Sequence, residues 1–369
     1  MRVRPLASLL VGALFAAACA NPTQPSRTVI IPAPGIHCPV APSPVTTFNG
    51  LPVVVTYDAP TTTGGTDPVS ASCTPPSGWA FTIGATVVTC VATDAVRRTA
   101  SCSFDVSVVL PPPRLGVTTI LAFGDSITEG EVPVAGEFGI RPRFVEPDQS
   151  YPADLTTILA QRYTAQGASL IDAFCTFDPP PPTTPGIHVI NAGCLGEQAE
   201  AAGTLVRLND KITVYHPDLV LLLEGVNDLN GAASVSGAVR GVQTLIGAAR
   251  GRGVPVFVST LLPEISGDLN AGSASLIASF NSLLVPAGSS AGARIVDLYQ
   301  DLSTDVTDWI SPYDGLHPTE AGYREMARVW AANIQSAFEL PLFSATTTNV
   351  SSPARLKRAV RGTANALNR

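Results

Sequence analysis

VTTILAFGDSITEG, residues 117–130, is the stretch on which the reading of this chain turns. Its first half, Val117–Phe123, is a largely apolar run of the kind a strand buried on both faces requires. Its second half breaks the strand at Gly124-Asp125 and sets Ser126 just past the end. Working outward, comparable runs recur at Thr118–Phe123 within it, then at His188–Asn191, Asp218–Leu223, Val254–Thr260 and Arg294–Leu298. Segments with helical spacing lie between most of them, at Tyr151–Thr164, Gln198–Ile212, Val235–Arg250 and Leu276–Val285. A last one, Thr319–Phe338, carries Ala321, Met326, Val329, Trp330 and Ile334 near one face. Short apolar strands alternating with helices predict an α/β domain whose parallel sheet is covered on both faces. In such sheets ligands bind beyond the carboxyl ends of the strands, which is where Ser126 falls.

A second segment, DGLHPTEAGY at residues 314–323, places an aspartate three residues before a histidine at the mouth of the last helix. Pro318 suits a first helical turn, where the missing N–H costs little. A serine hydroxyl is a weak nucleophile until a base removes its proton, and the base works best when a carboxylate fixes its tautomer. Ser126, Asp314 and His317 are therefore candidates for nucleophile, orienting acid and base. Two further strand ends carry Asn191-Ala192-Gly193 and Gly225-Val226-Asn227-Asp228. Each block has a plain reading by itself. Gly-Asp-Ser is a common turn, Asn227-Asp228 caps a helix, and His317 is an ordinary helix-start residue. Their joint occurrence in order is what points to a site.

These four blocks together resemble the SGNH subgroup of GDSL hydrolases, from Val117 to about Phe338. The resemblance implies a flavodoxin-like three-layer fold and a serine hydrolase acting on carboxylic esters through an acyl-enzyme. It implies Ser126 as nucleophile, with Asp314 and His317 completing the triad. The N–H groups of Ser126 and Gly193 and the amide of Asn227 would form the oxyanion hole. Gly193, lacking a side chain, would let backbone approach the substrate. Neither metal nor other cofactor is implied, and the substrate class is a small-molecule or glycan ester. Two alternatives stand beside this reading: a polysaccharide O-deacetylase of the same mechanism, and a non-catalytic surface binding or adhesion protein. Specificity would come from loops such as Glu129–Gln149 and Ser259–Leu269. Asp125 and Asp228 read as structural, and His37, His188 and His216 as weaker bases than His317.

Residues 35–110 have a different texture. Val53–Tyr57, Thr86–Val91 and Phe104–Val108 are short runs rich in β-branched residues, separated by Gly, Pro and Asp turns, which predict a small all-β immunoglobulin-like sandwich. The string SASCTPPSGWAFTIGATVVTCVATDAVRRTASCSFDVSVV resembles the hyaline repeat (HYR), and the resemblance suggests pairing Cys38 with Cys102 and Cys73 with Cys90. Arg97-Arg98 stands where that family tends to have Gly-Asn, against a tight hairpin there. Pro111-Pro112-Pro113 makes residues 111–116 a stiff linker to the domain at 117–340.

The first 19 residues read as an export signal: Arg2 and Arg4, an apolar run Leu6–Ala18, and small residues directly before Cys19. The pattern resembles a bacterial lipoprotein signal with Cys19 as the acylated residue; ordinary cleavage at an A-x-A site is the open alternative. An anchored envelope protein, or otherwise a secreted one, is the expected location, with membrane contact only through Cys19. Residues 20–34 read as a tether and 341–369 as a disordered basic tail. Setting Cys19 aside leaves six of the seven cysteines, four in the first third and two, Cys175 and Cys194, flanking an insert beside Gly193. Pairing within each region suits an oxidising compartment, and we expect Cys175–Cys194 to hold the donor loop. No Cys or His spacing suggests a metal site. With 14% charged residues and a net charge of −7, the chain has no global basic field to attract nucleic acid. The immunoglobulin-like domain is left as a spacer or a module for a surface or protein partner.

Overall fold

A computed structural model of the chain describes residues 30–133, 143–145, 147–231, 233–266 and 274–342. The export signal, Cys19, most of the tether and nearly all of the basic tail lie outside the described residues, as do parts of the two specificity loops. Two compact units meet in sequence between Val109 and Leu110.

The first unit is all-β. A four-stranded sheet runs in the order Val45–Thr46, Thr99–Val109, Gly84–Thr93, Ser70–Thr74, and two-stranded sheets pair Gly35–His37 with Thr61–Thr63 and Val53–Val55 with Trp79–Phe81. Alternation along the long strands buries Val88, Cys90, Val106 and Val108 together with Val55 and Phe81. Disulfides join Cys38 to Cys102 and Cys73 to Cys90. The long hairpin turns tightly despite its arginines. Arg97 adopts a left-handed φ of 67°, and the Asp94 carboxylate accepts from the N–H groups of Val96 and Arg98 and from Arg98 Nε. A side-chain acceptor thus does what Gly-Asn does by backbone freedom.

The second unit is a six-stranded parallel sheet flanked by helices. Its strands are β1 (Thr119–Gly124), β2 (Ala168–Asp172), β3 (Ile187–Gly193), β4 (Leu219–Leu223), β5 (Val256–Ser259) and β6 (Arg294–Val296), in the order β2-β3-β1-β4-β5-β6. All five ladders are parallel. Every residue of β3 and β4 is buried, as continuous apolar strands require when helices cover both faces. The longer helices are α2 (Tyr151–Arg162), α3 (Ala202–Tyr215), α5 (Val235–Gly251), α6 (Ala274–Ser290) and α9 (Glu320–Phe338). Short turns α1 (Ser126–Glu129), α4 (Val226–Asn230), α7 (Leu298–Leu302) and α8 (Val306–Trp309) fill the gaps. Tyr151 of α2 stacks on Trp330 of α9, with ring centroids 6.1 Å apart.

Two elements differ from the sequence expectation. Strand β2 was not expected, because an edge strand reading Ala-Ser-Leu-Ile-Asp is only partly buried and shows no apolar run. Helix α3 starts at Ala202 rather than Gln198, because the N–H groups of Ala199 and Glu200 donate to the buried Asp228 carboxylate instead of entering a helix. The chain leaves β1 with β3 on one side and β4 on the other, so the order reverses there. The open end of β1, where Ser126 sits, is the crevice such a reversal creates.

Candidate active site

The Ser126 turn is built locally. Asp125 caps α1 by accepting the Ile127 N–H at 2.9 Å, and Gly130 closes the turn at φ 108°. Ser126 is therefore the first helical residue, buried to 5% exposure, with no protein partner for its own N–H among the described residues. The opposite side comes from the loop before α9. Asp314 Oδ1 accepts from the N–H groups of Leu316 and His317, both at 3.1 Å, and its Oδ2 meets His317 Nδ1 at 2.5 Å. His317 Nε2 in turn lies 2.8 Å from Ser126 Oγ. Sequence-distant pieces thus form one chain of contacts from carboxylate to ring to hydroxyl, with Asp314 and His317 each 1% exposed.

Burial by itself would depress the His317 pKa. The hydrogen bonds and charges of Asp314 and a second carboxylate, Glu131, outweigh it and raise the ring to about 9. Burial likewise tends to raise the Asp314 carboxyl, but the hydrogen bonds and charge of His317 bring it below its usual value. Burial pushes Asp125 up to about 7 despite the Ile127 N–H.

Of the expected oxyanion donors, Asn227 stands at the exit of β4 and its Nδ2 donates to Glu197 O at 3.0 Å, which uses one of its two hydrogens. Gly193 requires a correction. Its N–H is already given to Asn191 Oδ1 at 3.1 Å, and a Cβ built on it would stand 2.1 Å from Glu129 N. Its lack of a side chain serves packing of β3 against the Ser126 turn, not approach to a substrate. The loop that follows offers one free donor among the described residues. Cys194 N–H bonds Gly124 O, Leu195 N–H bonds Glu129 Oε2, and Glu197 N–H closes a turn onto Cys194 O. Gly196 lies within that turn, exposed, at a φ of +70° that favours glycine, and its N–H has no partner among the described residues. The GxxG spacing Gly193–Gly196 was the available signal.

The GDSL-like Lipase/Acylhydrolase family model matches residues 122–325, more than half the chain and all four blocks. The chain belongs to that family. It is an ester hydrolase by kinship, and its first unit carries an HYR domain matched over residues 31–108. Among solved structures, the lipase/acylhydrolase from Enterococcus faecalis is 21% identical, covering 60% of this chain and 97% of its own, at a TM-score of 0.46. A carbohydrate acetylesterase from Sinorhizobium meliloti is 17% identical, covering 59% and 99%, also at 0.46. No curated protein matches the chain.

Several residues of this GDSL site act by holding others. Arg207 of α3 donates to Ala192 O at 2.8 Å and Gly124 O at 3.3 Å, pairs with Glu197, and lies 3.9 Å over the Phe123 ring. One guanidinium thereby ties the ends of β1 and β3 to the donor loop. Asp228, fully buried, fixes residues 199 and 200 of the same loop. His188 is engaged elsewhere, between Ser169 Oγ and Thr184 O at the start of β3. Glu131 was missed by sequence reasoning, since a second acid just past the Ser126 turn reads as an ordinary surface charge.

A disulfide joins Cys175 to Cys194, and Cys175 N–H also donates to Gly193 O at 3.0 Å. It closes a separation of 19 residues. The chain-entropy argument gives a loop of that size about 3 kcal/mol. We expect the Cys175→Ser/Cys194→Ser double variant to lose about that much in urea unfolding, with an m-value no smaller than native because the uncrosslinked denatured chain exposes more surface.

Proposed function

We propose that the chain is an exported serine hydrolase that cleaves carboxylic esters through an acyl-enzyme, with Ser126 as nucleophile. The observation that carries this is the Ser126–His317–Asp314 relay, with contacts of 2.8 and 2.5 Å in a buried setting. His317 takes the Ser126 proton as Oγ attacks the ester carbonyl, and then delivers it to the leaving alcohol. Asp314 holds the other ring nitrogen protonated and offsets the imidazolium charge as it forms. The carbonyl oxygen becomes an anion during attack. The N–H groups of Ser126 and Gly196 and the second amide hydrogen of Asn227 are the donors we assign to it. Water then repeats the sequence on the acyl-enzyme and frees the acid.

The test is labelling of the full chain by a fluorophosphonate, followed by peptide mapping, beside hydrolysis of p-nitrophenyl acetate. Label on Ser126 supports the reading. No label together with no hydrolysis returns the chain to the adhesion alternative, with the HYR unit as its working part. For the oxyanion assignment, Asn227→Ala is expected to lower kcat by ~100–1000-fold with little change in KM, since the amide acts where charge develops.

A surface polysaccharide carrying O-acetyl groups is the substrate class we favour. An HYR module beside an ester hydrolase, behind an export signal, suits a polymer outside the cytoplasm. Comparing acetylated sugars with p-nitrophenyl esters of rising acyl length tests it; a preference for long acyl chains counts against it. Acylation of Cys19 at the envelope belongs to the same proposal, and incorporation of labelled palmitate at that residue is its measurement.

A further inference from the structure

Glu131 opens a short strand, Glu131–Pro133, antiparallel to Arg143–Val145, just past the Ser126 turn. Its side chain is 1% exposed, and its Oε2 lies 3.2 Å from His317 Nε2, the nitrogen that must receive the serine proton. Its backbone is held as well, because Tyr323 Oη of α9 donates to Glu131 O at 2.8 Å. The carboxylate is therefore built into the relay.

The proton inventory around the ring makes this consequential. Nδ1 faces Asp314 Oδ2 and carries hydrogen. Nε2 faces two oxygens, Ser126 Oγ at 2.8 Å and Glu131 Oε2 at 3.2 Å. A neutral ring would present a lone pair to both, which suits a hydroxyl that can donate and disfavours a carboxylate that can only accept. An imidazolium satisfies all three contacts, with its Nε2–H directed between Glu131 and Ser126. Among the described residues, titratable groups near the ring and Glu131 include Asp125 and Glu129 from the Ser126 turn, Asp314 from the ring's own loop and Tyr323 from α9. The acidic members of this set favour the charged ring.

We propose that Glu131 is a positioning residue that keeps His317 as the imidazolium at rest, so that the hydrolase becomes active only as the Nε2 proton leaves at alkaline pH. This rests on the triad reading above. The step balances simply: the Nε2–H proton passes to water or hydroxide, the ring becomes neutral, and Nε2 can then accept the Ser126 hydroxyl proton as Oγ forms its bond to the acyl carbon. Once that proton has arrived, Glu131 stabilises the renewed imidazolium together with Asp314. The residue therefore delays activation along the pH axis and assists the step after it.

Two measurements on the full chain test this. In the pH profile of kcat/KM for p-nitrophenyl acetate, the native enzyme should rise towards a plateau above pH of about 9, and Glu131→Gln should move the acid limb down by about one pH unit or more while lowering the plateau. Independently of hydrolysis, NMR titration of the His317 ring in the Ser126→Ala background should give a midpoint near 9, falling by about one unit or more when Glu131→Gln is added. Equal midpoints with and without Glu131 would overturn the proposal. If hydrolysis is absent altogether, the triad reading fails, while the ring titration still decides the role of Glu131. Should Glu131→Gln not fold, Glu131→Asp, with its carboxylate withdrawn by one methylene, is expected to give a smaller shift of the same sign, and no shift overturns the proposal.

Discussion

Replacing Ser126 by alanine is expected to lower kcat/KM for p-nitrophenyl acetate by ~10⁴–10⁶-fold and leave the fold intact. The size follows from the part the hydroxyl plays. Without Oγ no acyl-enzyme forms, and what survives is stabilisation of the oxyanion and binding of the ester, which act on attack by water. The fold survives because the side-chain hydroxyl makes a single hydrogen bond, to His317, and removing one atom leaves little void. The cap that shapes the turn belongs to Asp125, and it is untouched. Matching native and variant melting curves, together with loss of turnover in stopped assays, would establish the result. Activity within about tenfold of native would end the assignment of Ser126, because no member of a working triad is that dispensable.

Gly193→Ala is expected to be among the most damaging single methyl groups in the hydrolase unit. An ideal Cβ there stands 2.1 Å from Glu129 N and 2.3 Å from Glu129 Cα, so it meets backbone that cannot rotate away. Glu129 N–H is bonded to Asp125 O at 3.0 Å inside the very turn that presents Ser126. Relief of the clash must therefore push apart β3 and the catalytic turn. Overpacking against a fixed backbone wall is expected at the upper end of the usual range, about 3 kcal/mol, or roughly 10 °C in melting temperature for a unit of this size. Activity should fall alongside stability. A soluble Gly193→Ala protein that melts within about 2 °C of native would contradict the packing described for this position.

The relay was legible in the sequence because its chemistry restricts residue types. A nucleophile, a base and an orienting acid sit at strand ends with few substitutes, and Asp314 and His317 are close enough along the chain to share a turn. Strands β1, β3 and β4 were legible for a related reason: burial on both faces leaves an apolar run. Strand β2 escaped because an edge position tolerates Ser169 and Asp172. The start of α3 was misplaced because Asp228, distant in sequence, takes the N–H groups that a helix would have used. The error at Gly193 has the same origin. A glycine announces a need for space, but only the fold says that Glu129 fills it. Glu131 likewise becomes meaningful only once the sheet brings the α9 loop across the Ser126 turn.

Neighbouring residues at the exit of β4 both reach across to the segment bearing Gly196. Asn227 takes hold of residue 197, and Asp228 grips residues 199 and 200. That stitching means the proposed anion cradle would be assembled when the polypeptide folds, before any ester arrives. A substrate with few atoms to grasp, such as a lone acetyl, then does not have to drive the cradle into shape with its own small affinity. Turnover of minimal acyl groups becomes a property of architecture rather than of tight binding.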